Sequence, residues 1–177
     1  MANKLQTILR HIWLDASDAE RAITPDLLAR LTARVTASEA RHSGEIRIYV
    51  EATLPLSYLR RISSQLTLKA LIRQRALMLF SKLRVWDTEH NNGVLIYLQL
   101  AEHAIEVVAD RGIHYFVDAA HWQAIAKHMS QSFKDKRFED GLTQALGEVS
   151  AVLVQHFPLE ASGDARVNQL PNEPGVG

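Results

Sequence analysis

Cysteine is absent from the 177-residue sequence. Disulfides, thiolate metal centres and a cysteine nucleophile are therefore excluded. Net charge is absent too, because twenty Lys and Arg balance twenty Asp and Glu. No global field points to nucleic acid. No run approaches the ~20 apolar residues that a membrane-spanning helix needs. The opening MANKLQTILRHIWLDA is not expected to be a secretion signal, because Arg10 and His11 interrupt any apolar core. A cytoplasmic protein is the expectation, with peripheral attachment to a membrane left open. Phosphate-binding glycine loops, G-x-S-x-G, S-x-x-K and H-E-x-x-H are all missing. The sequence therefore carries no signature of a P-loop nucleotide binder, a serine hydrolase or a zinc peptidase.

What is present is ordinary for a globular domain: 47% hydrophobic and 23% charged residues. The length suits one domain with a sizeable core. Charge is nevertheless uneven along the chain. Between Ala52 and Trp86 stand Arg60, Arg61, Lys69, Arg73, Arg75, Lys82 and Arg84, with no acid among them. A solvated helix face is the plain reading. A surface for an anionic partner is the sharper one, and it would use Arg73 and Arg75.

Leu5, Ile8, Leu9 and Ile12 fall at helical spacing and predict a short amphipathic helix docked on the domain body. Thr24-Pro25 opens a second helix, with Leu27, Leu28, Leu31 and Val35 as its apolar stripe and Gly44 as its end. EIRIYV, Glu45 to Val50, alternates as a strand with one better-buried face. A helical region, roughly 57–83 and broken near Ser63-Ser64, leads to GVLIYLQL. That near-continuous apolar run, Gly93 to Leu100, predicts a central strand covered on both faces. IEVVA, Ile105 to Ala109, returns as its hairpin partner. Helices follow over 119–134, capped by Asp118, and from Phe138 to near Phe157, where Pro158 stops the chain. The expected division is an N-terminal amphipathic helix over 1–22, a domain over 23–158 and a flexible tail over 159–177. The expected fold class is α/β, a three-layer α/β/α sandwich around a small mixed sheet. A right-handed crossover makes the first two strands parallel, and the hairpin makes the third antiparallel.

This topology brings separate loops to one end of the sheet. WDTEHNN, before the second strand, must approach Asp110 and Arg111, which leave the third, with Gly44 and Glu45 nearby. Asp87, Asn91, Asn92, Asp110 and Asp118 are then candidate oxygen ligands for calcium or magnesium, and Arg111 a candidate anion-binding group. The competing reading makes Asp110 and Asn92 turn-closers and Asp118 a helix cap. The eight histidines form no transition-metal pattern. His114, His121 and His128 are spaced by seven, but His90 and His103 belong at opposite sheet ends.

NNGVLIYL, then VADRGI, then FKDKRFEDGLTQAL resemble, in that order, the motifs of the TPM domain family. The likeness runs from about Thr24 to Phe157 and is strongest to a short, soluble bacterial branch without a signal peptide or membrane helix. The resemblance implies an α/β/α sandwich. It also implies divalent cation binding, a weak phosphatase activity known in plant relatives, and a link to membrane-protein assembly or maintenance with LemA-type membrane proteins as partners. The glycine turn here reads Asp-Arg-Gly, where other branches have Gly-Tyr-Gly. Three functions are therefore expected to compete. The first is a non-enzymatic binding or accessory module. The second is a weak metal-dependent phosphatase acting on phosphomonoesters, with Asp87 or Asp110 as base. The third is a scaffold that docks through the basic 60–84 segment.

Overall fold

The computed structural model describes residues 4–14, 16–135, 137–159 and 167–177. Elements follow in the order α1 (Lys4–Trp13), α2 (Ala16–Ala22), α3 (Pro25–Glu39), β1 (Glu45–Glu51), α4 (Leu56–Leu59), α5 (Leu68–Lys82), β2 (Gly93–Gln99), β3 (Ala104–Ala109), α6 (Arg111–His114), α7 (Ala119–Lys134), α8 (Phe138–His156) and β4 (Gly175–Val176). The sheet order is β3-β2-β1-β4. β1 and β2 are parallel, with Glu45 opposite Gly93 and Glu51 opposite Gln99. β2 and β3 are antiparallel, with Val94 opposite Ala109.

Every residue of β2 is buried, which is why its sequence shows no alternation. One face of the sheet carries Ile46, Ile48, Val50, Val94, Ile96 and Leu98 against α2, α3, α7 and α8. The other carries Leu95, Tyr97 and Val108 against α5 and its flanks. The arrangement is the expected α/β fold, with helices on both sides of a mixed sheet. Thr24 caps α3 by accepting from the Leu27 amide at 3.3 Å, and Pro25 fills the first helical position. α3 stops at Glu39 with Ala40 as its cap, five residues before Gly44. Gly44 instead enters β1, where a Cβ would lie 2.7 Å from Leu153 Cδ2 and 3.2 Å from the Asn92 carbonyl oxygen.

Three expectations change. First, the described residues of 1–22 form two helices, α1 and then α2, and Ala19 and Ile23 belong to the main core. Second, α1 is docked, but not through its apolar stripe. Thr7 and His11 are its buried residues, while Leu5, Leu9 and Ile12 are exposed. Only Ile8 of the expected stripe packs, in part, against the core. The His11 imidazole is the reason, since its Nδ1 accepts from the Leu54 amide at 3.1 Å. Third, the end of the expected tail is fixed to the domain. Leu170 is buried, Gly175–Val176 pair with β1, and the Gly177 amide donates to the Val50 carbonyl. The exposed edge of β1 supplies unpaired backbone groups that this segment satisfies. Part of 159–177, residues 160–166, lies outside the described residues.

The basic segment is also used internally. Arg75 folds onto Glu51, and Arg73 onto Glu106 and the Val107 carbonyl. Neither is presented as a free docking charge, so the scaffold reading loses the two arginines it relied on.

Candidate functional site

The loop 87–92 meets the 110–112 turn at the N-terminal end of β2, as the parallel topology requires. Backbone bonds lock them together. The Gly112 amide donates to the Asn91 carbonyl at 3.0 Å, and the Asp110 amide to the Gly93 carbonyl at 2.9 Å. Gly112 permits this approach, because a Cβ there would lie 2.6 Å from the Asn91 carbonyl oxygen and 2.8 Å from that of His90. Asn91 takes a left-handed conformation, φ 52°, which asparagine tolerates better than most residues.

Within this rim the candidate residues have different employment. Asn92 is buried; its amide is held by Thr88 Oγ1 at 3.0 Å and its side-chain NH2 by Ser43 Oγ at 3.3 Å. Asn91 Oδ1 accepts two bonds from Arg111, at 3.0 Å from Nε and 2.8 Å from Nη2. Asp110 is 7% exposed and caps α6, its Oδ1 accepting from the Arg111 amide at 2.7 Å. Its other oxygen, Oδ2, is buried and has no hydrogen-bond partner among the described residues. Asp87 faces solvent and pairs with Arg84 at 2.5 Å. Asp118 caps α7 by accepting from the His121 amide at 2.9 Å.

The sheet end thus gathers Asn91, Asn92, Asp110 and Arg111, while Asp87 and Asp118 are engaged with Arg84 and the first turn of α7. Among the described residues, no three His, Asp or Glu side chains are grouped to hold a metal ion. The turn-and-cap roles are present at Asn92, Asp110 and Asp118, and at Asp110 they leave one carboxylate oxygen unused.

The family model of the TPM domain matches residues 16–152. The chain belongs to the TPM domain family. A solved structure of similar shape is the NMR structure of the BA42 protein from the psychrophilic bacterium Bizionia argentinensis. It superposes with a TM-score of 0.70 at 25% identity, covering 87% of this chain and 94% of that one. No curated protein sequence matches the chain.

In this TPM domain, sequence reasoning missed the groups that buttress the rim. Gln169 Oε1 accepts from the Glu89 amide at 2.9 Å. Buried Glu45 accepts in turn from the Gln169 and Leu170 amides, each at 3.3 Å. The signal was Leu170, an apolar residue in a polar tail, but its partner lies 125 positions away.

The opposite sheet end holds a second polar cluster. Glu51 accepts from Arg75 Nε at 3.0 Å and from the Tyr97 hydroxyl at 2.7 Å. The Arg75 guanidinium also lies over the Tyr58 ring, 5.6 Å from its centroid. Burial, reinforced by the Glu51 charge, pushes the Tyr97 phenol far above its ordinary range. A phenol held neutral and bonded to a paired carboxylate is a rigid structural network. Breaking one member of such a buried pair costs more than the pair itself contributes.

Proposed function

We propose that this TPM domain is a non-enzymatic binding or accessory module whose sheet-end rim takes a divalent cation, calcium or magnesium, with Asp110 as the anchoring ligand. The carrying observation is Asp110 Oδ2, a buried carboxylate oxygen with no hydrogen-bond partner among the described residues. A buried polar atom without a partner is costly, and a bound cation relieves that cost. The fit is partial. Calcium takes about six to eight oxygens, whereas Asp87 and Asp118 are committed elsewhere. Such a donor set takes a largely hydrated ion at low affinity. The ion would neutralise a carboxylate and stiffen the rim.

The phosphatase alternative has less support. It needs Arg111 for the phosphate, and Arg111 directs two donors at Asn91. The proposed setting is the assembly or maintenance of membrane proteins, with a LemA-type protein as partner. That setting rests on the motif resemblance read in the sequence alone.

The test is a thermal melt of chelator-treated protein titrated with calcium and magnesium, repeated on Asp110→Asn. A ligand of the folded state raises the melting temperature with concentration. The expected result is a rise at millimolar metal that the variant lacks. No rise in the wild type, or an equal rise in the variant, removes the cation from this site.

A further inference from the structure

α1 is attached to the domain the wrong way round for a core helix. At about 100° per residue, Leu5, Leu9, Ile12 and Trp13 share one side, and Thr7 and His11 lie on the opposite one. The Thr7–His11 side is buried. The apolar side faces out, with Leu5 60%, Ile12 64% and Trp13 85% exposed. Polar bonds hold the helix in this orientation. Lys4 Nζ donates to the Arg60 and Ile62 carbonyls, His11 accepts from the Leu54 amide, and Arg10 pairs with Glu102 at 3.1 Å. Three anchor points spread along the helix keep the Leu and Trp side chains turned away from the core.

We propose that this outward face of α1 is a docking surface for an anionic lipid bilayer. Charge surrounds it accordingly. Lys4 ties the start of α1 to the segment carrying Arg60 and Arg61, both exposed. That segment belongs to the stretch between Ala52 and Trp86 that has no acid. An acid packed beside α1, Glu102, is already matched by Arg10, with His11 Nε2 at 3.4 Å, and Asp18, which follows α1 in the chain, pairs with Arg21 at 2.7 Å. An apolar stripe ending in tryptophan, bordered by cations, is the pattern that settles at a headgroup boundary. Each nearby Lys or Arg adds attraction to anionic headgroups within a Debye length.

A second copy of the chain is a poorer occupant. Twofold packing through α1 would bring two sets of Lys4, Arg10, Arg60 and Arg61 together, and like charges oppose association. The four exposed side chains also offer only roughly 500 Å², short of the ~800 Å² per partner of a standard interface. A ten-residue helix binds a bilayer reversibly, so the attachment is a weak and salt-sensitive one.

The experiment is sedimentation of the full chain with vesicles of phosphatidylcholine alone, or mixed with phosphatidylglycerol. Chelator is present throughout, so no cation at Asp110 enters. The wild type should sediment with the anionic vesicles and not with the neutral ones. Its bound fraction should fall several-fold between about 0.1 M and about 1 M salt. Leu9→Glu/Ile12→Glu should lower the affinity at least roughly tenfold with an unchanged urea midpoint, because both positions are exposed. Trp13→Ser should lower it in the same direction. The proposal is overturned if the wild type ignores anionic vesicles. It is also overturned if both variants bind undiminished, or if light scattering shows a dimer that Leu9→Glu/Ile12→Glu dissolves.

Discussion

Replacing Gly112 by alanine tests the lock between the 87–92 loop and the 110–112 turn. The added methyl would sit 2.6 Å from the Asn91 carbonyl oxygen and 2.8 Å from that of His90. Ordinary contact is nearer 3.4 Å, so the two backbone segments must part by the better part of an ångström. Neither can yield freely. The loop is held by the bonds of the Asn92 carbonyl to the Glu45 amide and of the Glu89 amide to Gln169, and the turn by the bond of the Asp110 amide to the Gly93 carbonyl. Overpacking of this kind costs about 1–3 kcal/mol, and loss of the Gly112–Asn91 bond about 1 more. The expected destabilisation is therefore about 2–4 kcal/mol, offset by about 0.5–1 kcal/mol because alanine constrains the unfolded chain more than glycine does. Urea denaturation measures it, and a domain of this size should lose several degrees in Tm. Gly147 is the internal control. It lies inside α8, exposed, with nothing among the described residues within 4 Å of the Cβ position. Gly147→Ala should stabilise by about 0.5–1 kcal/mol. A Gly112→Ala protein as stable as wild type would refute the rigid-rim account, whatever Gly147→Ala does.

Two further outcomes are expected. His11→Ala leaves the buried Leu54 amide without an acceptor and should cost about 1–3 kcal/mol; it should also raise proteolytic cutting in α1 while sparing the sheet, and uniform cutting would show that α1 has another anchor. Glu106 has its pKa raised by burial, against the pull of Arg73. The folded state therefore holds that proton more tightly than the unfolded state, so its contribution is present below the ordinary glutamate value of about 4.3 and is lost as pH rises through the raised one. Glu106→Gln should thus gain stability relative to wild type as pH climbs from about 4 toward neutrality; urea midpoints that keep a constant gap across that range would contradict it.

Local signals carried most of the fold. The uninterrupted GVLIYLQL marked β2, and Thr24-Pro25 marked the start of α3, because burial on two faces and capping leave their imprint within a few residues. The bounds of α7 and the end of α8 followed from periodicity and Pro158. Parallel pairing of β1 and β2 followed from the crossover, and with it the meeting of Asn91, Asn92, Asp110 and Arg111. Tertiary structure decided which of several polar partners each side chain took. Arg73 and Arg75 look like surface cations in sequence, but the sheet places Glu106 and Glu51 within reach. Asp87 is drawn to Arg84 and Asp118 to a helix amide, so the expected ligand set does not converge. α1 has a periodicity that promises burial of its leucines, yet a histidine and a lysine bonded to distant backbone groups turn it outward. Residues 167–177, though polar, are held because the edge of β1 needs hydrogen-bond partners. Periodicity, capping and the three-residue pairings of Asp87 and Asp118 act over one or two turns of chain, whereas the other pairings join positions from about 24 to 127 residues apart, which only the folded arrangement brings together.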